Sequence, residues 1–406
     1  MKITHINPAP HGITRRAGLL TLLGSALAIA GCGGGGDGGI AAVGAGGTGS
    51  FSVGPIRGFG SIIVNGVRFD DSAAVVRDDD GGLRDRSELK LGMMVTVTGS
   101  GVTGDRATAN TIVFGSELLG PISALNASAQ TLTVLGQTVS ITGSTIFDVS
   151  MSGGFASLAV NDIVEVHGVV NQVSNTIQAT FIEKKSRPDR FKIQGLASNH
   201  DLNAKTFNIG AIRINYSTTL ADEVRITPTN GTLVRVRLTA VLPPLPAPAE
   251  WTATRIRPPE NHANVIRDEA EIEGSITAFT SATQFSVNGI PVNASSAIFP
   301  DGTALALGTR VEVKGSLNNG VLTATRVQIE NENDADNLEF QLNGVMGSLN
   351  TTAQTFALRG VTVDYSRNPE YRDGTVVNLR DGATVEVRGM ASSDGTRIVA
   401  TRIKFE

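Results

Sequence analysis

Cysteine, aromatic residues and an excess of either charge are all scarce in this chain of 406 residues. A single cysteine excludes a disulfide framework, and no spacing of cysteine and histidine is typical of a structural zinc site. Aromatic residues make up 5% of the chain, and 34 basic residues stand against 38 acidic ones. Because binders of single-stranded nucleic acid need aromatic stacking surfaces and a positive groove, nucleic acid is not an expected partner.

Catalytic motifs are also scarce. The chain contains no Gly-x-Ser-x-Gly, no His-Glu-x-x-His and no glycine-rich loop between a strand and a helix. Two of the five histidines lie near the N-terminus, and His167, His200 and His262 stand in three different contexts. His167 occupies a repeat position that elsewhere holds Thr, Lys or Arg, so we expect it to be an exposed spacer. The sequence predicts a protein without catalytic residues or a cofactor, although carboxylates from separate modules could still form an enzyme site.

The N-terminus has the pattern of an export signal. Three basic residues, Lys2, Arg15 and Arg16, precede an apolar run over residues 17–30, and no acidic residue occurs before Asp37. The run is shorter than the roughly 20 apolar residues that a membrane-spanning helix needs. The adjacent arginines partly resemble a twin-arginine signal, so the Sec and twin-arginine export routes are both open.

The apolar run ends in Ile-Ala-Gly-Cys at 29–32, which resembles the lipobox of bacterial lipoproteins. In that family a peptidase removes the preceding residues, here 1–31, and the cysteine is acylated on its sulfur and its new amine, which anchors it stably. The alternative is a chance thiol behind an ordinary secretory signal, but the only cysteine lies where the motif requires one. The resemblance implies lipidation of Cys32. Gly33 in place of Asp implies sorting to the outer membrane, on its periplasmic or its surface face.

After a Gly- and Ala-rich stretch that we expect to be a flexible tether, the chain repeats one pattern five times. Its clearest phrase is G-x-x-V-x-V-x-G, with starts at Gly92, Asn161, Gly231, Gly308 and Gly382, separated by 69, 70, 77 and 74 residues. A turn and a second phrase, of the form A-T-R-I, follow each time. Internal repeats at so regular a spacing predict copies of one supersecondary unit.

The repeated unit is predicted to be a small β-barrel. Valines alternate with polar residues, and Asn-Gly and Asp-Gly pairs punctuate them, as in antiparallel strands and hairpins. A sheet of five or six short strands must close on itself to hide its edges. We therefore predict an all-β chain of five tandem OB-like or SH3-like barrels. The predicted divisions are a signal peptide over 1–31, a tether with acylated Cys32 over 32–52, and modules 1 to 5 over 53–117, 118–186, 190–259, 268–330 and 338–406.

Three repeated features resemble a known family. The G-x-x-V-E-V-x-G phrases at 308–315 and 382–389, the A-T-R-I phrase and the F-x-V-N-G hairpin at 285–289 are similar to the proteobacterial repeat known as domain of unknown function DUF5666. The resemblance covers nearly all of the chain after the tether and weakens in module 1, where the opening hairpin at 58–63 is shortened. It implies exported or lipid-anchored tandem β-barrels and supplies no catalytic residues.

The hairpin between the two phrases predicts which residues face each other. Centring each hairpin on its Asn-Gly or Asp-Gly turn places Glu312 opposite Arg326 and Glu386 opposite Arg402. These side chains would point outward, whereas the valines of the first phrase would point inward. We interpret them as cross-strand ion pairs worth about 0.2–1 kcal/mol each, with a structural role.

Module 3 departs from this scheme, because residues 184–257 contain twelve Lys or Arg and only five Asp or Glu. The same register places Arg235 opposite Arg255, and like charges directly opposite each other are destabilising unless an anion lies between them. Two-residue periodicity adds two more arginines and the only tryptophan to this outward face. Guanidiniums beside an indole suit a phosphate, a carboxylate or an acidic sugar. The candidate ligand-binding residues are Arg235, Arg237, Arg255, Arg257 and Trp251.

A second interpretation of the basic segment is structural: a solvated strip, or one that pairs with an acidic neighbouring module. Because charge asymmetry alone says little about a site, we favour this interpretation. The Pro-rich loop at 242–248 is likewise interpreted as a stiff hairpin loop rather than a docking peptide. The acidic clusters at 78–85 and 330–336 offer oxygen ligands but do not match the calcium-binding loop, so we expect them to be solvated and predict no metal site.

The sequence therefore predicts a lipid-anchored outer-membrane protein with a non-catalytic structural, adhesive or interaction role. The first alternative is a binder of an anionic envelope ligand, an acidic glycan or a phosphate-bearing lipid, through module 3. The second alternative is an unrecognised envelope enzyme. The expected partners are the membrane, through Cys32, and such a ligand or another envelope protein.

Overall fold

The computed structural model describes residues 49–171, 173–174, 176–242, 250–258, 266–330 and 339–406. The predicted signal peptide, Cys32, nearly all of the tether and most of the Pro-rich loop lie outside these residues. Strands dominate the described ranges, in which no α-helix occurs, and the prediction of an all-β fold is confirmed. None of these ranges holds a helix long and apolar enough to cross a membrane. Four short 3₁₀ turns lie at Arg86–Glu88, Gly154–Ser157, Ala221–Glu223 and Val376–Asn378.

The strands are numbered in chain order and grouped by the barrel that they build. Barrel 1 contains β1 (Ser50–Pro55), β2 (Gly58–Phe59), β3 (Ile62–Val64), β4 (Val67–Asp70), β5 (Val75–Asp78), β6 (Met94–Gly99) and β7 (Arg106–Phe114). Barrel 2 contains β8 (Leu118–Asn126), β9 (Thr131–Val134), β10 (Gln137–Ser140), β11 (Ile146–Phe147), β12 (Ile163–Asn171) and β13 (Thr176–Lys184). Barrel 3 contains β14 (Arg190–Asp201), β15 (Thr206–Ile209), β16 (Ile212–Asn215), β17 (Leu233–Thr239) and β18 (Glu250–Arg257).

The remaining strands build two further barrels. Barrel 4 contains β19 (Arg267–Ser281), β20 (Gln284–Val287), β21 (Ile290–Asn293), β22 (Arg310–Asn318) and β23 (Val321–Ile329). Barrel 5 contains β24 (Phe340–Asn350), β25 (Thr355–Leu358), β26 (Val361–Asp364), β27 (Glu370–Arg372), β28 (Thr384–Ala391) and β29 (Ile398–Phe405).

Barrel 2 shows the pairing that closes the rings of barrels 2 to 5. Strand β8 pairs antiparallel with β9 and with β12, β9 pairs with β10, and β12 pairs with β13. The parallel pair of β10 and β13 then closes the ring. The corresponding strands of barrels 3, 4 and 5 pair in the same way. Closure leaves the five main strands without a free edge, which is how so small a sheet hides its backbone groups.

A glycine recurs in the first strand of the barrels because the following hairpin folds back over it. In barrel 4 the turn residue Asn288 donates from its side-chain amide to the carbonyl of Glu273, at 3.1 Å. A Cβ on Gly274 would overlap that amide, so only glycine leaves room for this contact. Gly54 of barrel 1 leaves the same room for Asn65.

The barrels are also joined to one another by strand pairing. In barrel 1 the first strand is split, and β3 pairs with β2 and β4 but not with β1, so the second edge of β1 is open to another strand. Strand β19 of barrel 4 fills that edge in parallel, from Ser50 opposite Glu269 to Val53 opposite Ile272. Strand β2 pairs in parallel with β24 of barrel 5, and β8 of barrel 2 pairs with β14 of barrel 3. Barrel 1 therefore contacts barrels that are distant from it in the chain.

The barrel interiors are filled by the apolar residues of the two repeated phrases. Val311 and Val313 have no exposed surface, and Ala324 and Val327 are each 1% exposed. The prediction that the valines point inward is confirmed. Barrels 2 and 3 share one continuous core, barrels 1 and 5 share another, and barrel 4 has a third that Phe51 of barrel 1 completes.

A β-bulge in the second phrase changes the predicted hairpin register. In barrel 4, Lys314 lies opposite Arg326 and Gly315 lies opposite Ala324, so Thr325 is the extra residue. The Thr325 hydroxyl donates to the carbonyl of Lys314 at 3.1 Å. A Cβ on Gly315 would overlap the facing backbone, so the last glycine of the first phrase is the one that admits the bulge.

The predicted ion pairs Glu312–Arg326 and Glu386–Arg402 are therefore wrong. The residue opposite each glutamate lies two positions further along the second strand. The bulge accounts for one position, and the centre of the hairpin, which lies half a residue beyond the predicted one, accounts for the other. Glu312 instead contacts Lys314 on its own strand, with 2.8 Å between the carboxylate and the ammonium.

Candidate functional site

Four arginines form an outward surface on β17 and β18 of barrel 3, here called the Arg face. Arg235 lies opposite Arg257, and Arg237 lies opposite Arg255. The predicted register, with Arg235 opposite Arg255, is wrong by two residues, and Thr254, the extra residue of a bulge, accounts for one of them. Like charges still lie directly opposite each other, but in the pairs Arg235–Arg257 and Arg237–Arg255. Their side chains are only 15–30% exposed, so something covers them.

The cover is an acidic loop of barrel 1, defined as residues 78–85, which follows β5. Asp79 accepts from the Lys192 ammonium at 2.6 Å and lies 3.4 Å from a nitrogen of Arg235. Arg235 also donates to the backbone carbonyl of Asp79 at 2.7 Å. The Asp80 carboxylate accepts from Arg237 and lies 3.5 Å from a nitrogen of Arg255. The acidic loop thus occupies the position where the like-charged arginines require an anion.

Asp78 shapes the acidic loop so that the next two carboxylates project. Its carboxylate accepts from the backbone amides of Asp80 at 3.1 Å and Gly82 at 2.7 Å, and from Arg84 at 3.0 Å. Gly81 has a φ of +88°, a conformation that favours glycine. The side chains of Asp79 and Asp80 are only 14–15% exposed, so the expectation of a solvated loop is wrong here.

A third carboxylate completes the charge cluster, by which we mean the acidic loop, the Arg face, Lys192 and Glu223. Glu223 closes a 3₁₀ turn of barrel 3 and accepts from both Nη2 and Nε of Arg255, the first at 2.8 Å. Arg257 lies 3.7 Å from it. Burial raises the pKa of Asp79, but Lys192 and Arg235 lower it further, to below its ordinary value. Hydrogen bonding from Arg255 lowers the pKa of Glu223. Lys192 and the four arginines of the Arg face therefore surround the carboxylates of Asp79, Asp80 and Glu223.

Trp251 belongs to the barrel core rather than to the Arg face. Its ring packs edge-on against Phe191, with 5.9 Å between centroids, beside the core shared by barrels 2 and 3. The bulge at Thr254 breaks the two-residue periodicity that would have aligned Trp251 with Arg255.

Two buried titratable residues, Glu117 and His167, lie beside the charge cluster, and the sequence analysis did not identify either as buried. Glu117 accepts from the Gln194 side-chain amide at 3.0 Å, and burial raises its pKa to about 7, although Lys192 opposes the shift. His167 is fully buried, against the prediction of an exposed spacer, and its ring lies 5.8 Å from that of Phe181. Burial lowers the pKa of His167 to about 4, against the opposing charge of Glu165.

A cavity of about 230 Å³ separates the acidic loop from barrels 2 and 3. Its walls carry paired charges: Lys90 lies 2.6 Å from Asp148 and 3.1 Å from Glu183, and Lys185 lies 3.0 Å from Glu165. Across the described ranges, no group of three or more His, Cys, Asp and Glu side chains is arranged to hold a metal ion. The arrangement suits charge pairing between barrels, since each cation in these pairs already contacts a carboxylate.

Comparison with known proteins relates three of the repeats to a family. The family model described as "Domain of unknown function (DUF5666)" matches residues 120–183, 273–328 and 343–404, which lie in barrels 2, 4 and 5. A search of curated proteins found no match. Barrels 1 and 3, which supply the acidic loop and the Arg face, lie outside the matched regions. Three regions of the chain therefore match DUF5666, which is consistent with tandem DUF5666 repeats.

Proposed function

We propose that this protein is a non-catalytic scaffold of the bacterial outer membrane, anchored through lipid on Cys32 and held in one arrangement of barrels by the charge cluster. The observation that carries the proposal is the occupation of the Arg face by Asp79 and Asp80 of another barrel. The Arg face is thereby used for an internal contact. Strand pairing of barrel 1 with barrels 4 and 5 supports the same role.

The physical basis of the proposal is the cost of an unmatched charge. Partly buried ion pairs add little net stability, but removal of one partner leaves the other charge desolvated and costs about 3–5 kcal/mol. Other placements of barrel 3 against barrel 1 would leave the four guanidiniums desolvated without their carboxylate partners. The charge cluster therefore selects one relative position of the two barrels, which is what a scaffold with fixed geometry needs.

The double variant D79N/D80N tests this role in the full-length chain. We expect backbone hydrogen exchange to rise at least about tenfold in the acidic loop and in β17, because the Arg face loses two of the three carboxylates that it contacts. A matched control is D105N/D373N, since Asp105 is 55% exposed, Asp373 is 67% exposed and the cations that they contact lie outside the charge cluster. Equal exchange in the wild type and D79N/D80N would refute a positioning role for the charge cluster.

The anchor is tested separately. Metabolic labelling with a radioactive fatty acid should modify the wild type, and the C32S variant should lose the label and leave the outer-membrane fraction. Labelling that persists in C32S would contradict lipidation at this residue.

A second candidate function is binding of an anionic glycan or a phosphate-bearing lipid through the Arg face. It is favoured by the surplus of cations, because Lys192 and four arginines meet only three carboxylates. If an external anion competes with the acidic loop, D79N/D80N should bind heparin more tightly than the wild type, in a salt-sensitive way. R235A/R255A should abolish that binding, whereas absence of heparin binding by D79N/D80N would leave the scaffold role alone.

A further inference from the structure

A second cavity, of about 160 Å³, lies where barrels 1, 2 and 5 meet and is far more apolar than the one beside the charge cluster. Its walls include Phe59 and Leu91 of barrel 1, Phe147 and Phe181 of barrel 2, and Ile398 of barrel 5. Leu91, Phe181 and Ile398 are at most 1% exposed, so the packed cores of the barrels fix these walls. A cavity of about 150 Å³ with such a lining is large enough to take up benzene.

The charged groups around this cavity are predominantly cationic. Lys90 is paired with Asp148, which also lines the cavity, at 2.6 Å. Arg397 lies 3.5 Å from Asp364, with its side chain 40% exposed. Within the described part of the chain, Arg359 has no carboxylate partner, and its Nε donates to a backbone carbonyl at 2.9 Å.

The position of Arg359 is fixed by the barrel 5 hairpin. It lies in the two-residue turn between β25 and β26, at a φ of +53°, where barrels 1 and 4 carry asparagine. Like those asparagines, it bonds back to the first strand of its barrel, through the carbonyl of Asn343. Because Nε makes that bond, the two terminal nitrogens of the guanidinium are available for a bidentate contact with a carboxylate.

We propose that this cavity binds a small organic carboxylate with an apolar body of about six carbons. The body would pack against Phe59, Leu91 and Phe181, and the carboxylate would pair with Arg359 at the rim. An apolar pocket with a few converging polar groups is the usual form of a small-molecule site. This site is independent of the charge cluster, because neither Arg359 nor these apolar residues take part in it.

Isothermal titration of the full-length chain tests the proposal with benzoate, benzyl alcohol and benzylammonium, which share a ring and differ in charge. Benzoate is expected to bind at least about tenfold more tightly than benzyl alcohol, and benzylammonium more weakly than either. R359Q should remove most of the preference for benzoate and leave benzyl alcohol unchanged. R402Q is the matched control, since Arg402 also belongs to barrel 5 but pairs with Glu370, away from the cavity.

A second variant tests the place of binding. Thr362 is exposed and lines the cavity, so T362W should reduce the affinity for both benzoate and benzyl alcohol without disturbing the core. Equal affinity for the three probes, unchanged benzoate binding by R359Q or T362W, or no benzoate binding at about 10 mM would overturn the proposal.

Discussion

Replacement of His167 by leucine should change how stability depends on pH. The imidazole is fully buried, and neither ring nitrogen has a hydrogen-bond partner among the described residues. Its pKa is lowered to about 4 by burial, against about 6.5 in an unfolded chain. The unfolded state therefore binds the proton more readily than the folded state. The free energy of unfolding is therefore unaffected by this proton above pH 6.5. It decreases as the pH falls from 6.5 towards 4, by about 3 kcal/mol in all.

The H167L variant removes this proton and also the two unsatisfied nitrogens, whose burial costs about 1–3 kcal/mol. It should be at least as stable as the wild type at pH 7.5, and its advantage should grow by about 1.4 kcal/mol per pH unit below 6.5. Urea unfolding followed by Trp251 fluorescence reports on this region, since Trp251 packs against the core that barrels 2 and 3 share.

The matched control for His167 is T98L, because Thr98 holds the same position of the first phrase in barrel 1 and does not titrate. Its stability should run parallel to that of the wild type between pH 7.5 and 4.5. Parallel curves for H167L and the wild type would show that the buried ring does not destabilise the protein in acid, and would refute the reasoning.

Two further predictions concern barrel 4 and its neighbours. G274A should lower the free energy of unfolding in urea by about 1–3 kcal/mol, because its Cβ would overlap Asn288. G347A is the control: the space around its Cβ is open, so it should change that free energy by less than about 0.5 kcal/mol. Equal effects of the two substitutions would contradict the close-approach explanation. Burial and the charge of Glu312 raise the pKa of Glu271 to about 8, so the folded state holds a proton that the unfolded state releases, and stability should fall as the pH rises from 4.5 to 8. E271Q should flatten that fall in unfolding measurements at pH 5 and 8.5, and an unchanged slope would exclude Glu271 as its source.

The repeat architecture could be predicted from the sequence because its physical causes are local. Alternating valines fill one side of a strand, and a closed barrel is the way for so few strands to bury them. Asn-Gly turns such as Asn288-Gly289 supply the positive φ that tight hairpins need. These requirements recur in each repeat, so the strand order and the inward valines follow from them.

The hairpin register was missed although the second phrase contains a signal for it. Ala324 and Val327 both point inward but are three residues apart, which strict two-residue alternation does not allow. The extra residue, Thr325, is the bulge that reconciles their spacing. Counting Thr325 and its counterpart Thr254 as bulge residues would have removed one of the two residues by which the predicted register is wrong.

That the Arg face needs an anion follows from the amino-acid sequence, because facing guanidiniums repel one another wherever the barrel lies. Which anion it receives depends on how the barrels pack. Two acidic clusters, at 78–85 and 330–336, were equally available by composition, and the loop that reaches Arg235 comes from a position 156 residues earlier in the chain. Burial of His167 was decided in the same way, since a strand pattern fixes which side of a barrel a residue occupies but not which neighbouring barrel covers that side.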